Sequence, residues 1–155
     1  MASQNTPRPP LRGTRCSNID SPIKCHTLNV RGLLNRKKRA VLFANFQKEN
    51  YEFVSLQDTH VLKPKILAEI INQWPGHLHV AVGTGRGKGM ITLFNKKFPE
   101  ANIIELFKTD RILASSIIHE GENITIINIY APSENNQKAV FFNTLHNTLE
   151  NHIKE

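Results

Sequence analysis

Residues 28–61 read LNVRGLLNRKKRAVLFANFQKENYEFVSLQDTHV, and this stretch decides the fold class. It begins at the end of a short alternating run, residues 23–30, which is typical of a β-strand. Residues 36–50 then follow a helical period, and residues 51–58 form a second strand-like run. The succession predicts a strand, a helix and a strand in one unit, which is typical of α/β proteins.

The predicted helix has an apolar side and a basic start. Its apolar residues include Val41, Leu42, Ala44 and Phe46, which the helical period places on one side. Four consecutive basic residues, Arg36 to Arg39, open the helix, and cations at this end oppose the helix dipole. The basic run is therefore either a solvated face or a patch that faces phosphate.

The second strand ends in an unusual way. In FVSLQDTH, residues 53–60, an apolar run stops at Asp58, Thr59 and His60. Strands often end in polar residues where the chain reaches water. A carboxylate at the mouth of a sheet is also well placed to hold a metal ion. Both interpretations stay open on these eight residues alone.

The rest of the chain predicts a second helix, a block of strands and a closing helix. KPKILAEIINQW has helical spacing, and residues 135–155 do as well. Between them lie five strand-like segments separated by turn residues: HLHVAVG, GMITLFN, ANIIELFK, RILASSIIH and NITIINIYAP. The turn HEGEN predicts that the last two form an antiparallel hairpin. We expect an α/β or α+β protein with a mixed, mostly antiparallel sheet and helices against one face.

Composition limits the classes of function. With 155 residues, 39% hydrophobic and 21% charged, the chain suits one globular domain. Its net charge of +7 favours a polyanionic partner such as nucleic acid. Cys16 and Cys25 give neither a disulfide framework nor zinc spacing. Because no apolar run approaches ~18 residues, we expect no membrane span. Residues 1–22, with three prolines before Leu11, are expected to be a disordered tail.

Several familiar motifs are absent or fail on spacing. The cluster GTGRGKGM, residues 83–90, has Val82 and Gly89 where a phosphate-binding loop needs Gly and Ser or Thr. A strand pattern follows it, whereas a dinucleotide fingerprint requires a helix. We interpret it as a basic hairpin connection in which Arg86 and Lys88 contact a phosphate backbone. No small-molecule cofactor and no nucleophile motif is indicated.

Three strand ends form a set. The first predicted strand ends at Asn29, the second at Asp58 and the last at Tyr130. Each has a structural explanation when taken singly, since Asn caps turns and Tyr is a half-buried aromatic with a polar tip. If the three ends converge at one edge of a sheet sandwich, they can form a site for hydrolysing a phosphodiester.

Five segments in order resemble the endonuclease domain of LINE-type retrotransposons. These are LNVRGL, SLQDTH, GKGMITLFNKKF, DRILASSI and TIINIYAPSENN. This family belongs to the endonuclease/exonuclease/phosphatase superfamily, together with DNase I and exonuclease III. The resemblance implies a four-layer αββα sandwich and a DNA-cleaving activity that depends on a divalent metal, usually Mg²⁺.

The resemblance also implies roles for individual residues. Asp58 corresponds to the metal carboxylate, and Asn29 to an Asn that binds metal or orients phosphate. Tyr130 corresponds to the phosphate-binding Tyr, and His60 to a supporting His. Together with Arg86 and Lys88 of the basic connection, the residues expected to contact nucleic acid are Arg31, Arg111 and Ser133.

The chain departs from the family pattern at several positions. The metal carboxylate is Asp58 where the family has Glu, Ser133 replaces Asn, and Asp110 replaces the Gly before Arg111. The resemblance covers residues 23–155 and omits the family segments that supply a second carboxylate and the general-base His. We therefore expect a partial domain lacking its C-terminal third or more, marginal stability, and a sheet edge covered by a missing segment or a partner.

Three functions follow from this sequence. The chain is a DNA-nicking domain impaired by its missing part, a basic nucleic-acid-binding module without chemistry, or an inert remnant of a mobile element. DNA as the target implies the nucleus, but no targeting signal distinguishes the nucleus from the cytoplasm.

Overall fold

Seven strands and three helices are present in the computed structural model, which describes residues 22–84 and 89–152. The predicted tail therefore lies, apart from residue 22, outside the described residues. In chain order the elements are β1 (Cys25–Asn29), α1 (Arg36–Lys48), β2 (Phe53–Gln57), α2 (Pro64–Gln73), β3 (Leu78–Ala81), β4 (Met90–Phe94), β5 (Ile103–Lys108), β6 (Ile112–His119), β7 (Glu122–Ile129) and α3 (Asn135–His152). The order agrees with the sequence prediction, and a short 3₁₀ turn precedes β5.

The first sheet has the strand order β1-β2-β4-β3. β1 and β2 are parallel because helix α1 carries the chain back between them. Their register pairs Asn29 with Gln57, so both strands end at the same edge of the sheet. β4 then runs antiparallel to both of its neighbours, β2 and β3.

The second sheet is antiparallel, with the order β5-β6-β7. The hairpin predicted from HEGEN is confirmed, with His119 paired to Glu122 across the turn. Glu120 (φ 52°) and Gly121 (φ 82°) both adopt left-handed backbone conformations, as tight hairpin turns require. The other end of this hairpin pairs Ile112 with Ile129, directly beside Arg111 and Tyr130.

The two sheets pack face to face, and helices cover both outer faces. On the outer face of the first sheet, Phe43 of α1 and Ile70 of α2 pack with Leu56 of β2. On the outer face of the second, Phe141 and Leu145 of α3 pack against Ile112. The predicted four-layer αββα sandwich is confirmed. The simpler expectation of helices against one face of one sheet was wrong, because strand spacing does not show that the strands divide between two sheets.

Helix α1 buries only part of the residue set that its helical period predicted. Phe43 and Phe46 lie in the core, whereas Val41 is 66% exposed. Arg39 is fully buried, and its guanidinium donates to the carboxylate of Glu69 and to the Leu33 carbonyl. The four basic residues are therefore not one solvated face, since the last of them belongs to the core.

Two sheet edges line one groove. Within the described residues, β1 ends the first sheet and β7 ends the second, and side chains from β1, β2 and β7 line a groove of about 510 Å³. The lining contains no Asp, Glu, Lys or Arg, although charged residues are the usual protection of a strand edge. The edge at β5 differs, because it carries a bulge between Glu105 and Phe107 and an ion pair between Glu105 and Lys108.

No helix in residues 22–84 and 89–152 combines the length and the apolar character needed to cross a membrane.

Candidate active site

Asp58 lies where the chain leaves β2 and turns sharply. Its φ of 59° and that of His60, 56°, are both left-handed, which is uncommon for residues other than glycine. Backbone hydrogen bonds hold the turn in place. The Gly32 N–H donates to the Asp58 carbonyl at 2.7 Å, and the Leu33 N–H donates to the Thr59 carbonyl at 2.8 Å. The chain segments after β1 and β2 are thus joined beyond the ends of the strands.

The Asp58 carboxylate lies close to two side chains from different parts of the fold. His60 Nε2 lies 2.8 Å from Asp58 Oδ1, and Asp58 is near enough to the Tyr130 phenol for its negative charge to raise the pKa of that phenol. The Asp58 side chain is only 14% exposed, whereas that of His60 is 36% exposed. A carboxylate has about four acceptor positions, so the contact with His60 leaves it able to accept a further ligand.

Tyr130 reaches this site from the second sheet. The Arg111 guanidinium donates to the Tyr130 carbonyl at 3.1 Å, and its carbon lies 5.7 Å from the centre of the Tyr130 ring. Burial raises the pKa of the Tyr130 phenol, the negative charge of Asp58 raises it further, and Arg111 opposes both effects. The phenol is therefore held protonated, as a hydrogen-bond donor.

Asn29 and Arg31 form a turn at the end of β1. The Asn29 side-chain oxygen accepts a hydrogen bond from the Arg31 N–H at 3.1 Å. Asn29 is exposed and pairs in register with Gln57, the residue before Asp58. Lys38 closes the turn from α1, since its ammonium donates to the carbonyl of Gly32 at 3.0 Å. Asn29 thus has the turn-capping role that sequence allowed, at the same edge as Asp58.

The donors at this edge fit Mg²⁺ in their chemistry. The ion prefers hard oxygen ligands, keeps several of its waters and often binds through only one or two carboxylates. Asp58 offers a carboxylate with free acceptor positions, and Asn29 offers an amide oxygen with a second lone pair. Among the described residues there is no group of three His, Cys, Asp or Glu that could hold a metal ion. The fit is to a site with few protein ligands.

The structure therefore brings together five of the residues singled out from sequence. Asn29, Asp58 and His60 lie at the edge of the first sheet, and Tyr130 joins them from the second together with Arg111. Ser133 is exposed on the loop between β7 and α3, three positions after Tyr130. Arg31 is exposed beside Asn29. Arg86 and Lys88 lie outside the described residues.

The sequence did not predict that Thr59 is buried or that Gly89 lies against it. Thr59 is 1% exposed, and its hydroxyl has no hydrogen-bond partner among the residues that the structure describes. A Cβ at Gly89 would lie 2.8 Å from that hydroxyl oxygen, and the φ of Gly89 is +106°. The glycine that opens β4 is therefore required by contact with the residue next to Asp58. Alternation of polar and apolar residues gives no sign of this contact.

Known proteins confirm the fold. No family model matches the chain. The "uncharacterized 149 kDa protein" of transposon TX1 from Xenopus laevis is 28% identical over 120 residues, which cover 77% of this chain and 9% of that protein. The endonuclease domain of TRAS1, a telomere-specific non-LTR retrotransposon, superposes with a TM-score of 0.53 at 14% identity, covering 84% of this chain and 53% of the domain. The chain has the fold of a retrotransposon endonuclease domain. The predicted resemblance to the LINE-type endonucleases is thereby confirmed.

The same endonuclease/exonuclease/phosphatase fold occurs in a DNA-bound protein. TDP2 of D. rerio, solved with a single-strand DNA product, superposes with a TM-score of 0.53 at 19% identity, covering 81% of this chain and 52% of that one. The chain spans about half the length of these solved structures, and a much smaller part of the transposon protein. The match is therefore to part of the fold.

Proposed function

We propose that this chain binds DNA and a divalent metal at the Asp58 edge, as one half of a phosphodiester-hydrolysing site of the retrotransposon endonuclease type. The observation that carries the proposal is the meeting of Asp58 and Tyr130. Asp58 directly follows a strand of the first sheet, Tyr130 directly follows a strand of the second, and only the stacking of the sheets brings them together.

The residues at this edge suit a phosphate group. Tyr130, held protonated, donates a hydrogen bond that a phosphate oxygen accepts as well as a carboxylate does. Arg111 supplies a fixed positive charge beside it, and His60 holds the Asp58 carboxylate in one orientation. A divalent metal, when bound, neutralises charge on the phosphate and polarises the bond that breaks.

Exposed basic residues near the same edge suit the DNA backbone. Arg31 lies two positions after Asn29, and Arg36 and Lys37 are exposed at the start of α1, which the loop after Arg31 enters. The whole chain carries a net charge of +7. Contacts of this type give binding that is independent of base sequence and weakens steeply with salt.

We propose that hydrolysis by this chain alone is slow. Asp58 has a side chain one carbon–carbon bond, ~1.5 Å, shorter than the Glu of the resembled family. Misplacement of a catalytic group by ~1 Å can cost about 10²-fold in rate. His60, the imidazole that contacts Asp58, is already held by that carboxylate. Within the described residues no second carboxylate joins Asp58 to activate a water molecule.

We also propose that additional polypeptide covers the groove between β1 and β7 in the working protein. The groove lacks charged lining residues, and the solved neighbours contain about as much chain again as the part matched here. Two further strands, one added to each sheet, would satisfy both edges.

DNA binding by fluorescence anisotropy tests the proposal. We expect a labelled duplex to bind with an affinity that falls with salt and rises with Mg²⁺ relative to EDTA. Asp58→Ala should remove the effect of Mg²⁺ and keep the effect of salt. Glu122→Gln removes an exposed carboxylate at the far end of β7 and should change neither. Equal affinity in Mg²⁺ and EDTA for the unchanged chain would contradict the metal half of the proposal.

A second candidate function is a DNA-binding module without chemistry. The exposed basic residues beside Arg31 favour it, because they need no metal to bind phosphate. This function predicts salt-dependent binding that persists in EDTA and is unaffected by Asp58→Ala. Nicking of supercoiled plasmid separates the two, since a module produces no open circle in Mg²⁺ at any concentration.

A further inference from the structure

Two buried amide side chains join the sheets directly behind the candidate site. Gln57 is the last residue of β2 in the first sheet and is 9% exposed. Asn128 lies in β7 of the second sheet and is 1% exposed. The Gln57 Nε2 donates to the Asn128 Oδ1 at 2.7 Å across the interior of the sandwich. We call this pair the amide clamp.

Each member of the amide clamp is also fixed to the first sheet. The Gln57 Nε2 donates to Thr27 Oγ1 of β1 at 3.0 Å. The Asn128 Nδ2 lies 3.2 Å from the carbonyl of Leu56 in β2 and 3.2 Å from that of Ile91 in β4. Asn128, a residue of the second sheet, therefore contacts the backbone of two central strands of the first. Hydrogen bonds are directional, so they fix the register of the sheets in a way that apolar packing does not.

The positions of the clamp residues along their strands connect them to the site. Gln57 directly precedes Asp58. Asn128 precedes Tyr130 by two positions, which places both side chains on the inner face of the second sheet. A shift of one sheet against the other would move Tyr130 relative to Asp58, and the amide clamp, which is close to both residues along the chain, is a polar contact between the sheets that resists it.

We infer that Gln57 and Asn128 are positioning residues that hold Tyr130 of the second sheet in register with Asp58 of the first. The chemical use of the Asp58–Tyr130 pair rests on the proposed function, but the geometric claim does not. If Gln57 and Asn128 had only an ordinary structural role, replacing them would lower the stability of the fold. It would leave the proximity of Asp58 and Tyr130 unchanged in the protein that remains folded.

Fluorine NMR of protein labelled with 3-fluorotyrosine distinguishes these roles. The chain has two tyrosines, Tyr51 and Tyr130, so two signals are expected, and Asp58→Asn assigns that of Tyr130 by shifting it. Gln57→Met and Asn128→Leu remove the clamp while keeping side-chain size. Ile117→Val is the matched control, because it deletes a buried methyl group between the sheets without removing a polar contact.

We expect Gln57→Met and Asn128→Leu to shift or broaden the Tyr130 signal and to leave the Tyr51 signal unchanged. In Ile117→Val, both signals should stay in place. If the protein nicks DNA, both variants should also lower the rate by about 10²-fold, as a misplacement of ~1 Å does. A Tyr130 signal at its unchanged position in folded Gln57→Met would overturn the inference. If Asn128→Leu does not fold, Gln57→Met alone decides the test. Absence of nicking with a shifted Tyr130 signal would contradict the proposed function and support the clamp.

Discussion

Asp58, which directly follows β2 of the first sheet, is near enough to Tyr130, which directly follows β7 of the second, for its negative charge to raise the pKa of the Tyr130 phenol. Their proximity depends on the left-handed turn at Asp58, the hydrogen bond from Arg111 to the Tyr130 carbonyl, and the stacking of the two sheets. It therefore depends on the fold as a whole. Perturbing either residue should be visible at the other.

Titration of Tyr130 tests this proximity. Asp58→Asn should lower the pKa of the Tyr130 phenol, because it removes a negative charge that favours the protonated form. Burial, the largest cause of the raised pKa, remains, so the value should stay above that of a free phenol. Arg111→Gln should raise the pKa, since it removes an opposing positive charge. Ultraviolet difference titration measures both shifts, and equal pKa values in the two variants would contradict the arrangement.

Substitution of Gly89 tests the contact with Thr59. Gly89→Ala places a Cβ 2.8 Å from Thr59 Oγ1 at a left-handed φ, whereas Gly121→Ala has a left-handed φ and open space. The backbone strain costs ~1 kcal/mol in each, and overpacking adds about 1–3 kcal/mol to Gly89→Ala. Urea denaturation measures the difference. Thr59→Ala combined with Gly89→Ala should recover part of the loss, and equal losses for the two glycines would show that the contact does not matter.

Two arginines of helix α1 should have separate effects. Arg39→Ala leaves the buried carbonyl of Leu33 and the partly buried carbonyl of Leu34 without their donor and should lower the free energy of unfolding by roughly 2–4 kcal/mol. Arg36→Ala, at an exposed position, should change it by no more than ~0.5 kcal/mol. For DNA binding we expect the reverse, with Arg36→Ala lowering the slope of log affinity against log salt by about 1. A loss of stability in Arg36→Ala equal to that in Arg39→Ala would contradict the burial of Arg39.

The stability of the fold should decrease below neutral pH through His79. Burial lowers the pKa of His79, which hydrogen bonds to Ser115 of the second sheet at 2.8 Å. The unfolded chain then binds a proton near pH 6.5 that the folded chain takes up only at lower pH. The free energy of unfolding therefore falls as the pH drops from about 6.5 toward the lowered pKa of the folded state.

His79→Gln tests this effect because it removes the titrating group and keeps a polar side chain. We expect chemical denaturation between pH 7.5 and pH 5.5 to show a smaller loss of stability in this variant. His146→Gln, an exposed position on α3, is the matched control and should retain the loss seen in the unchanged chain. A loss of the same size in His79→Gln would show that other groups account for the pH dependence.

The sequence predicted the elements of the fold well, because each depends on local periodicity and turn residues. It also allowed for strand ends that converge at one edge. Asn29 and Asp58 share an edge in the structure because parallel strands joined by one helix end on the same side. That Tyr130 lies near Asp58 was expected only from the family resemblance, because no local pattern indicates how two sheets stack. The burial of Arg39 was missed because its partner, Glu69, lies on another helix and RKKR looks uniformly polar.

The polar interior of the sandwich was also beyond sequence reasoning. Gln57 and Asn128 stand in strand-like runs where alternation predicts only that they face one side or the other. Their hydrogen bond depends on register between strands of different sheets. Thr59 and Gly89 show the same limit, since their contact joins the turn after β2 to the start of β4.

A Mg²⁺ titration of the protein labelled with 3-fluorotyrosine shows whether Asp58 and Tyr130 belong to one metal site. We expect a saturable shift of the Tyr130 signal, absent in Asp58→Ala, while the Tyr51 signal on the far side of the first sheet stays in place. Ca²⁺ and EDTA arms establish that the change requires a bound divalent ion. If neither signal moves in folded, unchanged protein at millimolar Mg²⁺, Asp58 and Tyr130 do not form a metal site, and the proposed function is contradicted.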